Sequence, residues 1–102
     1  MKKYLWLTLA VYWTTVSMSA YTPHELGGSR ITASGAECQE GITCAANFCP
    51  LGSKIVYNGK TYLVQDRMAP GYDRNVDLFM ESYEQAIQFG RKEAQVQVQA
   101  TT

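Results

Sequence analysis

The chain has 102 residues, about the length of one domain. Its nine basic and nine acidic residues give a formal net charge of 0. That balance gives no support for nucleic-acid binding, which requires a basic surface to neutralise phosphates.

The first element in chain order is typical of a secretory signal. Lys2-Lys3 precedes an apolar run from Tyr4 to Val16, and small residues end the run at Ser19-Ala20. A basic start, a short apolar stretch and a small-residue end form the secretory pattern. We therefore expect residues 1–20 to be a signal peptide cleaved before Tyr21. The remainder, 21–102, is then one exported domain that is periplasmic, wall-associated or secreted and has no stable membrane span. An uncleaved anchor is the alternative.

Three cysteines follow in the second quarter of the domain. Cys38, Cys44 and Cys49 are disulfide candidates, because exported thiols commonly oxidise and a covalent cross-link would stabilise a domain with a small core. Their odd number leaves at least one unpaired or paired between chains. Unpaired core thiols are the alternative. We expect no metal site, since His24 is the only histidine and the spacing fits no zinc pattern.

Short strands are predicted along most of the domain. Thr32 to Gly35 favours a short strand ending in a turn, Ile42 to Phe48 a buried strand, and Asn75 to Phe79 another short strand. Asn58-Gly59 lies between two β-prone runs, Ser53 to Tyr57 and Lys60 to Asp66. That dipeptide is the strongest short-range signal for a hairpin with a type I′ turn.

One helix and a last strand complete the pattern. Ser82 to Gln85 fits a capping box, and Gly90 is a natural helix stop followed by Arg91 and Lys92. Apolar Tyr83, Ala86 and Ile87 recur at helical spacing, so Tyr83 is expected in the core. From Ala94 to Val98 apolar residues alternate with glutamines, which predicts a half-buried strand before a frayed tail at 100–102. Short strands with one helix favour a small mixed β-barrel.

Two aspartates stand out against this pattern. Asp66 ends one apolar strand and Asp77 lies inside another. Carboxylates in such runs are costly to bury, so both meeting at one cleft would favour a general acid with a raised pKa. Two alternatives remain open. Alternation along the strands would point both side chains to solvent, or each carboxylate would cap loop N–H groups.

Several segments together resemble the three-aspartate domain of bacterial cell-wall proteins, which is similar to the catalytic barrel of the membrane-bound lytic transglycosylase A family. The resemblance covers nearly all of 21–102, and the segment around Asp77 with the helix after it is its most specific part. In order, the segments are Tyr21-Thr22-Pro23, Thr32-Ala33-Ser34-Gly35, Pro50-Leu51-Gly52, Asp66, Val76-Asp77-Leu78-Phe79, Ser82-Tyr83-Glu84-Gln85-Ala86 and Phe89-Gly90-Arg91.

The resemblance implies a mainly β fold, a small six-stranded double-psi β-barrel with one short helix. It implies cleavage of peptidoglycan glycan strands without a cofactor. Asp77 then corresponds to the catalytic acid/base and Asp66 to the aspartate that positions it. By position in the motif, Thr32 and Ser34 are candidates for hydroxyl contacts to the sugar.

Departures from the family pattern fall at the cleft rim. No acid stands before Pro50, where the family carries its first aspartate, and Asp73 does not replace it. The usual Asp-Thr-Gly-Gly is Asp66-Arg67-Met68-Ala69 here. These changes indicate either an altered substrate preference or a barrel that has lost activity.

The altered rim supplies further binding candidates. Tyr72 is the preferred aromatic for stacking on a sugar, ahead of Tyr21, Tyr57, Tyr62 and Tyr83. Arg67, with Arg74, is a candidate for carboxylates of stem peptides, since arginine binds carboxylates bidentately. Solvated loop charge is the alternative for both arginines.

Three functions are therefore weighed. The leading one is a lytic transglycosylase-like enzyme of cell-wall turnover, whose partner is peptidoglycan or a related polysaccharide. The second is a non-catalytic wall-binding or wall-loosening barrel. The third is a secreted protein-interaction module.

Overall fold

Six strands form a closed barrel, and one short helix lies outside the ladder. The computed structural model describes residues 9–23 and 29–101. The strands follow one another around the barrel in the order β1-β5-β2-β4-β3-β6. The elements are β1 (Leu9–Tyr21), β2 (Thr43–Ala46), β3 (Lys54–Tyr57), β4 (Lys60–Asp66), β5 (Asn75–Phe79), α1 (Tyr83–Phe89) and β6 (Lys92–Thr101).

The barrel mixes parallel and antiparallel pairs. β1 runs parallel to β5 and β2 parallel to β4, while the other four pairings are antiparallel. The prediction of a mainly β, six-stranded barrel with one short helix is confirmed. Closure leaves β2, β4 and β5 paired on both sides, which fixes the register of the strands that carry the aspartates.

All of β1 except Tyr21 lies within the segment that the sequence pattern assigns to the signal. Val16 and Met18 are buried in the core, and Ser17 to Tyr21 pair with β5. The barrel as observed therefore begins before the predicted cleavage point. Cleavage before Tyr21 stays a prediction, and it would remove all of β1 except its last residue.

Side chains of even number on β1, β2 and β5 fill the barrel interior, as alternation along strands requires. Val64 on β4 and Ile55 on β3 join them, and each is fully buried. The interior includes Val16, Met18, Cys44, Ala46, Ile55, Tyr62, Val64, Val76, Leu78, Val96 and Val98. A second, smaller cluster of Tyr21, Cys38, Ala45 and Phe79 packs on the outer side of the sheet.

The hairpin predicted at Asn58-Gly59 is confirmed. Lys60 pairs with Tyr57 across the two-residue turn. Asn58 and Gly59 have φ of 52° and 75°, the positive values that a type I′ turn requires at both central positions.

The helix begins and ends as its sequence predicts. Ser82 accepts a hydrogen bond of 3.2 Å from the backbone N–H of Gln85, and the N–H of Gly90 donates to the carbonyl of Ala86. The predicted apolar face is wrong in part. Ala86 is buried, but Tyr83 and Ile87 are 56% and 62% exposed. A helix of seven residues is too short for its whole apolar face to pack against the barrel.

Thr32 to Gly35 is a turn rather than the predicted strand. The N–H of Thr32 donates to the carbonyl of Ala36, and the N–H of Gly35 donates to the carbonyl of Thr32. Gly35 has φ of 89°, a left-handed value that ends any extended run. Only the single bridge between Ile31 and Glu37 remains of strand pairing here.

The predicted disulfide is not formed. Cys38, Cys44 and Cys49 are all buried as free thiols. Cys44 and Cys49 belong to the barrel interior and Cys38 to the smaller outer cluster, so each fills space as a small apolar side chain. His24 lies outside the described residues.

The last strand is longer than its sequence pattern predicts. β6 starts at Lys92 and includes Ala100 and Thr101, which were expected in a frayed tail. Ala100 and Thr101 pair with Ala10 and Leu9 of β1. Within the described part of the chain, no helix has the length and apolar character needed to span a membrane.

Candidate active site

Asp66 and Asp77 lie on strands that flank β2 on either side. Ala45 of β2 pairs with Asp77 of β5 and also with Asp66 of β4. Paired residues project to the same face of a sheet, so both carboxylates stand on the outer face beside the Ala45 methyl group. Two strand spacings of about 4.8 Å put the two aspartate Cα atoms about 10 Å apart.

A β-bulge puts Asp66 on that face. Cys44 pairs with Val64, but the next residue of β2, Ala45, pairs with Asp66, so β4 carries one extra residue at this point. Plain alternation would send Asp66 to the same side as the buried Val64. The bulge turns it outward instead, which bulges do beside many active sites.

Ser19 of β1 extends the row beyond Asp77. Ser19 is the cross-strand partner of Asp77, and its hydroxyl donates a hydrogen bond of 2.7 Å to Oδ1 of that aspartate. Both side chains are half-buried. Four neighbouring strands therefore supply the row Asp66, Ala45, Asp77 and Ser19.

The carboxylate of Asp66 is held by neighbouring segments. Oδ1 accepts hydrogen bonds from the backbone N–H of Ala33 at 3.1 Å and of Arg67 at 2.9 Å. Oδ2 accepts one from the Tyr21 hydroxyl at 3.4 Å. The alternative in which an aspartate caps loop N–H groups therefore holds for Asp66. It also fixes this side chain at the edge of the site.

Tyr21 is a neutral donor in this cluster. Burial, with nearby Cys38 and Asp66, raises the pKa of its hydroxyl far above the usual value for tyrosine. Burial likewise raises the pKa of the Cys38 thiol, which lies 3.9 Å from the Tyr21 oxygen. Both groups keep their protons near neutral pH, so Cys38 is not poised as a nucleophile.

A cleft of about 360 Å³ opens over the row. Tyr72, the predicted aromatic rim residue, lines it and is 42% exposed. The complete lining is Ser19, Ala20, Tyr21, Ala45, Asp66, Arg67, Met68, Ala69, Tyr72, Asp77 and Arg91. Two carboxylates, two arginines and an exposed tyrosine therefore share one open cleft.

Arg67 lines the cleft, but its guanidinium has partners in the protein. Nη1 donates to the backbone carbonyls of Ala46 and Cys49, each at 2.6 Å. These bonds tie the segment after β4 to the segment after β2. The prediction that Arg67 binds stem-peptide carboxylates has no support from this arrangement.

Thr32 and Ser34 lie outside the cleft lining. The Thr32 hydroxyl donates to the carbonyl of Ala36 and bonds to the Ser34 hydroxyl, both at 2.8 Å. They shape the turn that presents the N–H of Ala33 to Asp66. Their predicted contacts to the sugar stay a prediction, and in the structure they support the turn.

The remaining predicted rim residues also lie elsewhere. Tyr57 packs edge-on against Phe89 with ring centroids 6.5 Å apart, and Tyr62 is buried in the core. Arg74 donates to the Thr14 hydroxyl at 2.8 Å and lines a separate cavity with Asp73.

A larger cavity of about 580 Å³ lies between α1 and the edges of β4 and β5. Its one carboxylate, Glu40, accepts a hydrogen bond from the N–H of Glu81. The cleft over Ala45 holds the paired acids, so we assign the candidate site there. Among the described residues, no three His, Cys, Asp or Glu side chains converge as a metal site would require.

The sequence pattern missed Ser19, Ala45 and Arg91. Val16 to Ala20 alternates apolar and small polar residues, which is a strand pattern within the predicted signal peptide. Arg91 is predicted from the sequence only as a residue that follows the helix stop at Gly90. Gly90 ends the helix and the chain turns back to the barrel there. That turn was the available signal that the Arg91 side chain lies at the cleft and not along the helix.

Comparison with known proteins identifies no relative. No family model matches the chain, and neither a curated protein nor a solved structure is significantly similar to it. The resemblance to the three-aspartate domain therefore stays a prediction from the residues of the motif.

Proposed function

We propose that the protein cleaves peptidoglycan glycan strands as a lytic transglycosylase-like enzyme. The observation that carries the proposal is the pairing of Asp66 and Asp77 with the same residue, Ala45, on the floor of one open cleft. The resemblance of the Val76 to Phe79 segment to the three-aspartate motif supplies the reaction class.

Asp77 is the acid in this proposal. Protonated Asp77 donates its proton to the glycosidic oxygen as the bond from C1 of an N-acetylmuramyl unit breaks. The carboxylate so formed accepts the proton of that sugar's own 6-hydroxyl, whose oxygen bonds to C1 and closes a 1,6-anhydro ring. One carboxyl group serves both steps, so no water and no second carboxylate are consumed, unlike in hydrolysis.

The resemblance assigns the acid to Asp77, and the position of Asp77 is compatible with this role. Asp66 accepts hydrogen bonds at both oxygens from three donors that fix it in place. Asp77 accepts a hydrogen bond from Ser19, and it lines the open cleft over the small Ala45 side chain. A sugar unit over Ala45 would therefore meet Asp77 as the proton donor.

Product analysis tests the reaction. The full chain, which retains β1, is incubated with purified sacculi, and the soluble products are identified by mass spectrometry. We expect anhydro-muropeptides from the wild type, none from Asp77→Asn, and wild-type yields from Asp73→Asn, whose aspartate lies in an exposed loop away from the cleft. Products with reducing ends would replace the mechanism with hydrolysis. Anhydro products from Asp77→Asn at the wild-type rate would refute the assignment.

A non-catalytic wall-binding barrel is the second candidate. The observation in its favour is that Asp66 has the bonding of a structural residue. Protein that sediments with sacculi but releases no soluble product would favour this function. In that case Asp77→Asn should bind sacculi as the wild type does.

A further inference from the structure

The four arginines of the chain differ in whether a described residue binds their guanidinium groups. Arg30 pairs with Glu81 and lies over the Phe79 ring, Arg67 donates to two backbone carbonyls, and Arg74 donates to Thr14. Arg91 makes no hydrogen bond or ion pair with any described residue, and it lines the cleft that holds Asp66 and Asp77. A guanidinium that lines a cleft and that no described residue binds can bind a ligand.

Arg91 lies at the Asp77 end of the row. It follows Gly90 and precedes Lys92, the β6 residue that pairs with Met18 of β1. Ser19, the next residue of β1, donates to Asp77. A group bound by Arg91 would therefore lie beside Asp77, on the side away from Asp66.

A carboxylate is the ligand chemistry that this placement fits. Arginine presents paired N–H donors in a planar fork that matches a carboxylate in two hydrogen bonds. Neutral hydroxyls and amides of a sugar do not require a cation. The two aspartates of the cleft repel a substrate that carries its own carboxylates, and the Arg91 guanidinium offsets that repulsion at the Asp77 end.

We propose that Arg91 is the specificity residue that binds a free carboxylate of the peptide attached to the muramyl unit, which makes the cleft selective for peptide-bearing glycan. The identification of this carboxylate rests on the proposed function. The assignment to Arg91 rather than Arg67 rests on which guanidinium is already occupied by the protein.

Binding measurements test the proposal without catalysis. Asp77→Asn protein is titrated by calorimetry with a soluble muropeptide whose peptide carboxylates are free, and with the same muropeptide after amidation. We expect about tenfold tighter binding of the free acid, the effect of one charge-assisted bidentate contact. Added Arg91→Gln should abolish the preference, Arg91→Lys should keep part of it, and Arg30→Gln, whose arginine lies outside the cleft, should leave it intact.

The outcomes separate the two proposals. A carboxylate preference that persists in Arg91→Gln, or equal binding of both ligands by the parent protein, would overturn the role of Arg91. Release of anhydro-muropeptides from sacculi alongside that result would leave the proposed reaction standing. A preference that depends on Arg91 without any product release would keep this inference and overturn catalysis. Failure to bind either muropeptide would overturn the binding role itself.

In active protein, the kinetics give a second readout. Arg91→Gln should raise KM for peptide-bearing glycan about tenfold and change kcat little, because the peptide carboxylate takes no part in bond cleavage and is bound equally in the ground state and the transition state. An equal fall in kcat with KM unchanged would indicate a role in the chemical step instead.

Discussion

Ser19 donates a 2.7 Å hydrogen bond to Asp77, the residue with which it pairs across β1 and β5. The contact joins the first strand of the barrel to the candidate acid. Removal of the hydroxyl in Ser19→Ala should lower cell-wall cleavage and cost about 1–2 kcal/mol of stability, as expected for a half-buried hydrogen bond to a carboxyl group. Ser17→Ala on the same strand is the control. Sacculus digestion and urea unfolding are the measurements, and equal behaviour of the two variants would contradict a role for Ser19 in the site.

Removal of residues 1–20 should abolish folding of the remainder. Burial of Val16 and Met18 contributes about 1.5–3 kcal/mol for each side chain, against a total of about 5–15 kcal/mol for a domain of this size. The barrel would also open along both β5 and β6. A chain that starts at Tyr21 should show no cooperative urea transition by circular dichroism. A chain that starts at Leu9 is the control and should unfold cooperatively. A sharp transition in the shorter chain would mean that β1 is dispensable.

Asp66→Ala should destabilise the protein, because it removes the acceptor for Ala33, Arg67 and Tyr21. Three lost bonds, some of which water can replace, predict about 2–4 kcal/mol. Asp66→Asn keeps one acceptor oxygen for the two backbone N–H groups, so its free energy of unfolding should decrease less than that of Asp66→Ala. Urea unfolding of both variants checks this order. Equal stability of Asp66→Ala and wild type would remove the capping role.

Arg67→Gln should loosen the segment that follows β2. The carbonyls of Ala46 and Cys49 would each lose a charged donor, which predicts a loss of about 1–2 kcal/mol. Arg74→Gln is the matched control, since the guanidinium of Arg74 donates to the Thr14 hydroxyl at the surface and to no backbone carbonyl of the described residues. Hydrogen exchange should rise around residues 46–49 in the first variant and stay unchanged there in the second. Unchanged hydrogen exchange in both variants would show that Arg67 does not stabilise the segment around residues 46–49.

Stability should fall at alkaline pH because of the buried thiols. Burial raises the pKa of Cys44 to about 12, and it also raises the pKa values of Cys38 and Cys49. The unfolded chain releases these protons from about pH 8.5, while the folded chain keeps them, so the free energy of unfolding decreases as pH rises. Urea unfolding at pH 7, 9 and 10 should give a steady decline. The decline should be smaller in Cys44→Ala, and an identical pH dependence in that variant would contradict the assignment to Cys44.

Local signals made much of the fold predictable. The turn at Asn58-Gly59 and the caps Ser82 and Gly90 encode their structures in a few adjacent residues, so they need no knowledge of the rest of the chain. β1 was missed because an apolar run before Ser19 fits both a signal peptide and a barrel strand. The strand becomes visible only through its pairing with β5 and β6, which are distant in sequence.

The candidate site was predictable in its acids but not in its surroundings. Asp66 and Asp77 stand out because carboxylates are rare beside apolar strand residues. Their common neighbour Ala45 carries no chemical signal, and the partners of Arg67 are backbone carbonyls that any residue type supplies. Tyr83 was wrongly expected in the core because helical spacing does not report how far a short helix lies from its neighbours.

The bulge in β4 has a consequence for how such a site can arise. In an unbroken ladder, the position facing the cleft would be 65, where a glutamine stands, and Asp66 would point into the apolar interior beside Val64. An acidic residue at 66 is therefore tolerated only together with the extra residue in its strand. A barrel of this kind therefore gains a second acid on its outer face by the insertion of one residue in β4, and a substitution alone does not place it there.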